Sequence, residues 1–322
     1  MTTAALTDSR SARHFLDLDA FKWDDIWALL TAAREQRERF AKDGVADQTL
    51  KGQRVVGAFF EHSTRTRVSF ETAAKSLGAE FIDFQARDSS MAKGESPRNT
   101  LRTLQALGAT ALVTRHASAG FPYFAARCLD IPVVNAGDGA HAHPTQTLAD
   151  LMTILDKHDT LRDLKVAIAG DFLHSRVARS FAGALIKFGS QVVAVAPASM
   201  QPSAAVKARM TLKPYSQIQW TNNLGDAVKD AHALMVLRVH RERHQSPPAL
   251  AFAAYANRFA TRYADIADSK DLIVLHAGPV NEGVDLASDA LRSENSQVER
   301  QVENGLFARM AVLRYVCSED AD

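Results

Sequence analysis

Cysteine is nearly absent from this chain: Cys128 and Cys317 are the only two, far apart and without metal spacing. Such sparse usage points to a reducing compartment. Net charge is missing as well, because Lys+Arg 38 against Asp+Glu 37 leaves only +1. No bulk field therefore draws the chain to nucleic acid or an anionic membrane, and any affinity for anions must be local. That suits a small phosphorylated ligand better than a polymer. No segment approaches membrane-spanning length, and the polar stretch 1–14 has no apolar signal core, so a soluble, cytoplasmic protein is expected. Internal repeats and low-complexity tracts are lacking too. Three familiar catalytic signatures are incomplete. The loop Ser89–Ser96 is not a Walker A. The turn Gly170–Arg176 lacks the second and third glycines of a dinucleotide fingerprint. No nucleophile elbow accompanies a Ser-His-Asp order, so covalent hydrolase chemistry has little support.

What the chain does have is alternation. Its 46% hydrophobic content is that of an ordinary globular protein, and 322 residues predict one or two domains. After a helical stretch over 20–40, apolar runs predict strands at 55–60, 80–84, 111–114 and 133–135, with helices at 68–77, 97–107 and 121–128 between them. A long helix at 145–157 precedes a second series. Its strands are expected at 165–169, 191–196, 233–237 and 272–275, and its helices at 177–188, 224–228 and 255–258. The stretch 201–219 reads as a loop-rich excursion. The predicted fold class is α/β: two parallel-sheet α/β domains with helices on both faces and an active site at the interdomain cleft. The expected domains are 1–150 and 151–299, with a last helix at about 300–317 packing back on the first.

Ligands in such folds bind beyond the carboxyl ends of the strands, and the polar clusters fall there. The densest is Ser63-Thr64-Arg65-Thr66-Arg67, placed between a strand and a helix. Unpaired N–H groups, a helix dipole and two guanidiniums make it anion-seeking. Ser63 or Thr64 acting only as a helix cap, with solvated arginines, is the alternative. Asn135 to Gln146 is the second cluster. His143 and Gln146, three apart at a helix start, face one way and together can polarise a carbonyl and hold an amide. A metal reading would use Asp138, His141 and His143, but no further strong ligand follows at metal spacing, and no metal is expected. Further on, Arg176 and the run Arg238 to Arg243 offer carboxylate clamps, although such charge runs are usually solvated faces. Lys93, taken alone, reads as a solvated loop lysine.

Phe59-Phe60-Glu61 with Ser63–Arg67, Lys93-Gly94-Glu95, Arg115-His116, Asn135–Gln146, His174–Ser180 and Asn304-Gly305 together resemble the aspartate/ornithine carbamoyltransferase family, on its aspartate branch, from about His14 to Leu313. The resemblance implies a carbamoyl phosphate-binding first domain in which Ser63, Thr64, Arg65 and Thr66 cradle phosphate. It implies that Thr66, Arg115 and His143 polarise the carbamoyl oxygen and that Gln146 holds the amino group. It further implies that Arg176 and Arg238 bind L-aspartate in the second domain, beside His240, and that the turn of Gly278 and Pro279 supplies a backbone carbonyl. No cofactor is implied. Family members are trimers in which a neighbouring subunit lends a serine and a lysine, matched here by Ser90 and Lys93. A homotrimer with shared sites is thus implied, and a larger assembly with regulatory or dihydroorotase-like chains is left open. Three positions depart from the family pattern: His240 stands for glutamine, Ala277 for proline and Glu282 for arginine. Glu282 is expected to repel a dianionic substrate by roughly several tenths of a kcal/mol. Alternatives to aspartate transfer are another amine acceptor or a weakened, structural homologue.

Overall fold

The computed structural model describes residues 12–43, 48–85, 94–204, 207, 218–240, 249–269 and 271–318. Its first series runs α1 (Trp23–Asp43), β1 (Arg54–Phe59), α2 (Thr64–Ser76), β2 (Glu80–Gln85), α3 (Pro97–Ala106), β3 (Ala111–His116), α4 (Phe121–Cys128), β4 (Val133–Asp138) and α5 (Pro144–His158). The second contains β5 (Lys165–Ala169), α6 (Arg176–Lys187), β6 (Gln191–Val195), β7 (Gln219–Thr221), the helix Leu224–Val228, β8 (Ala233–Val236), the helix Ala249–Phe259 and β9 (Ile273–Leu275). A long C-terminal helix, Val298–Cys317, closes the fold. The strands form two parallel sheets, ordered β2-β1-β3-β4 and β7-β6-β5-β8-β9.

Alternation within the strands explains the layering. In β1, Val55 enters the core beneath α2 and α5, while Val56 and Ala58 face α3 and α4. In β5, Val166 and Ile168 join that same large core with α6, whereas Ala167 and Ala169 pack on the helix Leu224–Val228. Strands buried on both faces need continuous apolar runs, and these have them. The C-terminal helix packs against α5, α1 and α2. Polar bonds fix its register: Asp156 of α5 accepts from Arg37 Nη1 at 2.6 Å and Nη2 at 2.7 Å, and from Arg300 Nε at 2.9 Å.

Several boundaries differ from the sequence expectation. Helix α2 starts at Thr64 instead of 68, because Thr64–Arg67 carry no apolar periodicity to announce it. Strands β3 and β4 run on to His116 and Asp138, since Asn135 and Asp138 are buried polar residues hydrogen-bonded within the fold. Strand β7 pairs with β6 at the end of the stretch read as a loop, most of which lies outside the described residues.

The two sheets place the site. In each, the chain leaves one strand for one side and returns to build the other side. These switch points lie between β1 and β3 in the first sheet and between β5 and β8 in the second. A crevice opens at such points. Arg65 follows β1 and Arg115 ends β3, while Arg176 follows β5 and Arg238 follows β8.

Candidate active site

A cavity of about 730 Å³ lies between the two sheets' carboxyl ends, within the range usual for small-molecule sites. Ser63, Thr64, Arg65, Thr66, Arg115, His143, Gln146, Arg176, Arg238, His240, Gly278 and Pro279 all line it. Ser90 and Lys93 lie outside the described residues. Among the described residues, its charged lining is five arginines (Arg309 is the fifth) against the single carboxylate Glu61. The cavity is therefore strongly cationic although the chain is nearly neutral.

The anion cradle is the first turn of α2. Ser63 sits at the N-cap with φ −161° and ψ 88°, yet its hydroxyl makes no capping hydrogen bond. Its carbonyl accepts from Arg67 N–H at 3.1 Å. The N–H groups of Thr64, Arg65 and Thr66 thus have no helical acceptor, and they point with the dipole into the cavity. Arg115 Nη1 reaches the buried Thr66 Oγ1 at 3.4 Å. Gly278 closes over Arg65: at φ +65°, a Cβ there would stand 2.9 Å from Arg65 Cζ. Arg67, expected to add to the anion field, instead pairs with Asp83 at 2.6 Å and does not line the cavity. Burial, then the nearby charge of Arg238, lowers the pKa of Arg65.

His143 and Gln146 open α5. The backbone N–H of His143 donates to Ser180 Oγ at 2.9 Å, which locks the turn. Its ring is buried, and Nδ1 has no hydrogen-bond partner among the described residues. Burial, followed by the charges of Arg115, Arg176 and Arg309, drives its pKa well below the ordinary imidazole value. His143 is a neutral imidazole at physiological pH and a poor base, suited to donating one hydrogen bond. Gln146 donates Nε2 to Asp150 Oδ1 at 2.8 Å. Two other members of these motifs prove structural. His116 stacks on Phe121 with centroids 4.0 Å apart, and Asp138 is occupied by hydrogen bonds from Asn135, Gly120 and Ala142 and by contact with His141.

Across the cleft, Ser175 caps α6 by accepting from Ala178 N–H at 3.1 Å, which sets Arg176 at the first helical position. Arg176 Nη2 meets Glu61 Oε2 at 2.5 Å, and Arg115 Nε meets the same oxygen at 3.2 Å. Glu61 thereby links an arginine from each half. The loop carrying Arg238 is held by two buried carboxylates. Asp285 accepts from Val239 and Asn281 N–H, each at 2.9 Å, and Asp171 accepts from His240 N–H at 3.3 Å. Glu282 corrects an expectation: it is exposed, does not line the cavity, and accepts from Arg292 Nη2 at 3.2 Å and from Ser288 Oγ. Its charge is engaged by these partners at the surface, so the anticipated repulsion has no source.

The sequence assigned no role to Glu61, Asp150, Gln301 or Arg309. Glu61 stood inside a recognised motif and could have been found there. Gln301 and Arg309 arrive on the C-terminal helix, where only helical spacing was visible.

Fold and site define a two-domain α/β protein whose interdomain cleft is built for small, multiply charged anions. The profile described as "Aspartate/ornithine carbamoyltransferase, carbamoyl-P binding domain" matches residues 13–156, and the corresponding Asp/Orn binding domain matches residues 162–316. The aspartate carbamoyltransferase catalytic subunit of Roseiflexus sp. is 42% identical over 309 residues, covering 95% of this chain and 96% of that protein. The same subunit from Solibacter usitatus is 44% identical over 295 residues, covering 91% and 95%. Among solved structures, the Trypanosoma cruzi aspartate transcarbamoylase in complex with N-(phosphonacetyl)-L-aspartic acid superposes with a TM-score of 0.87 at 28% identity, covering 96% of this chain and 97% of that one. The ornithine carbamoyltransferase of Pyrococcus furiosus gives 0.84 at 28%, covering 96% and 98%. The chain belongs to the aspartate/ornithine carbamoyltransferase family.

Proposed function

We propose that this chain transfers the carbamoyl group of carbamoyl phosphate to the amine of L-aspartate, giving N-carbamoyl-L-aspartate and phosphate, the step found in de novo pyrimidine biosynthesis. The observation that carries the choice of acceptor is the pair Arg176 and Arg238 on the second-sheet side of the cleft. Guanidiniums suit the two carboxylates of aspartate and would repel a second amine such as that of ornithine. We assign residues 1–150, with the helix at about 300–317, to carbamoyl phosphate and 151–299 to aspartate.

Phosphate rests on the free N–H groups of Thr64–Thr66 and on Arg65. Thr66, Arg115 and neutral His143 point donors at the carbamoyl oxygen, and Gln146 holds the carbamoyl nitrogen. The amine lone pair attacks the carbamoyl carbon, and negative charge collects on that oxygen in the tetrahedral intermediate. Donors fixed in place before reaction stabilise it. The C–O bond to phosphate then breaks, phosphate leaves with the bonding electrons, and the amine gives up its proton. Holding both substrates in line supplies much of the remaining acceleration. We further propose a cytoplasmic homotrimer in which Ser90 and Lys93 of a neighbouring subunit complete each site. No helix among the described residues is long and apolar enough to cross a membrane.

Steady-state assay with carbamoyl phosphate and a panel of amino acids is the decisive test: turnover with aspartate and none with ornithine is expected. Turnover with another amine alone would overturn the assignment. Glu61 gives a finer check. Glu61→Gln removes the anion that steadies Arg176, so the KM for aspartate should rise about 10-fold, the scale of one charge-assisted hydrogen bond. The KM for carbamoyl phosphate should change less. Equal loss for both substrates would show that Glu61 acts no more through Arg176 than through Arg115.

A further inference from the structure

Asp150 lies on α5 one turn beyond Gln146, fully buried and outside the cavity lining. Its Oδ1 accepts two amides at 2.8 Å each: Nε2 of Gln146 and Nε2 of Gln301 from the C-terminal helix. Gln301 turns its own oxygen to the backbone N–H of His276 at 2.7 Å, at the start of the turn that lines the far side of the cavity. Oδ2 has no hydrogen-bond partner among the described residues.

A carboxamide has two ends of opposite character, and side-chain rotation alone does not choose between them. Here the choice is made from behind. An acceptor oxygen at Asp150 engages the Gln146 nitrogen, which leaves Gln146 Oε1 as the atom offered to the cavity. We infer that Asp150 is a positioning and specificity-determining residue: by fixing the polarity of the Gln146 amide it makes the site read an N–H donor on its substrate and reject a group of equal size that lacks one. The same carboxylate, through Gln301, ties that reading to the His276–Pro279 turn across the cleft. This rests on the carbamoyl-transfer reading, in which the –NH₂ of the substrate meets Gln146. An unpaired buried acceptor is what penalises a methyl analogue, as in other sites built to bind a donor.

The test is a matched pair of stable ligands, phosphonoacetamide and acetonylphosphonate, which differ only in –NH₂ against –CH₃. Calorimetric titration of the wild-type protein should show the amide bound about 10-fold or more tightly than the ketone, the range for one buried hydrogen bond. Asp150→Leu keeps roughly the same volume but offers no acceptor, so nothing holds the Gln146 nitrogen and the amide is free to turn. The preference should then collapse to within about 2-fold, mainly through loss of amide binding, while the ketone binds as before. A purely structural role would weaken both ligands together and leave their ratio intact, which would overturn the inference. Asp150→Ser, whose short hydroxyl releases Gln146, serves as the second variant should the leucine protein not fold. If the wild-type protein has no preference for the amide, the carbamoyl reading itself falls. If it has the preference and Asp150→Leu retains it, only the role of Asp150 falls.

Discussion

Arg65→Met is expected to lower kcat/KM with carbamoyl phosphate by about 10³-fold, the loss typical of removing one preorganised donor from a site where negative charge develops. Arg65 stands in the first turn of α2 beside the N–H cradle, with Gly278 closed over its guanidinium. Burial and the nearby Arg238 already lower its pKa, so the empty cleft holds two cations that disfavour one another. A bound dianion relieves that repulsion, and the arginine therefore serves the bound state at the expense of the empty one. A second result follows from the same reasoning. Without ligand the Arg65→Met protein should melt no lower than wild type, and addition of carbamoyl phosphate should raise its melting temperature far less. Kinetics together with thermal melts check both. A loss under about 10-fold, below the usual range for such a donor, would remove Arg65 from the cradle.

Asp138→Ala is expected to cost about 3–5 kcal/mol of stability, the scale for breaking a buried charged network by removing one partner. Asp138 is fully buried at the end of β4. Its oxygens accept from Gly120 N–H at 2.7 Å, Asn135 Nδ2 at 2.8 Å and Ala142 N–H at 3.1 Å, and His141 Nδ1 lies at 3.1 Å. Alanine leaves these donors buried without an acceptor and unties the turn that presents His143. The melting temperature should fall by about 6 °C. The pH dependence has a definite sign. Burial pushes the Asp138 pKa up, but hydrogen bonds from His141, Asn135 and Gly120 bring it below the ordinary value. Its contribution is present above the ordinary carboxylate pKa and is lost as pH falls through the depressed one. The hydrogen bond to Asp138 raises the pKa of His141 against the effect of burial, so the His141 contribution is present below the ordinary imidazole pKa and is lost as pH rises through the raised one. The gap between wild type and the Asp138→Ala protein should therefore be widest at roughly pH 4–6.5. Melting curves across pH measure it, and a gap independent of pH would show that the pair is not ionic.

Much of the fold was legible because its determinants are neighbours in the chain. Apolar runs such as Val166–Ala169 and Val192–Val195 announce buried parallel strands, and both stand in the central region of the second sheet. The rule that ligands bind beyond the carboxyl ends of parallel strands groups Arg65, Arg115, Arg176 and Arg238 from their places after predicted strands, and all four line one cavity. The start of helix α2 escaped the sequence pattern because its first turn is polar, and that turn is the anion cradle. Function and periodicity compete for the same residues there.

Partner choice among the polar groups was settled only by tertiary structure. Nothing local says that Arg67 turns to Asp83, that Glu282 pairs with Arg292, or that His116 lies flat on Phe121. Glu61 meets Arg176 across 115 positions of sequence, and Gln301 meets Asp150 across 151. The residues of the cleft, and the two-layered alternation that carries them to one edge, were fixed by spacing along the chain. Which guanidinium faces a ligand and which faces a carboxylate depends on burial and on charges brought together by packing, and those exist only once the two sheets and the C-terminal helix have closed.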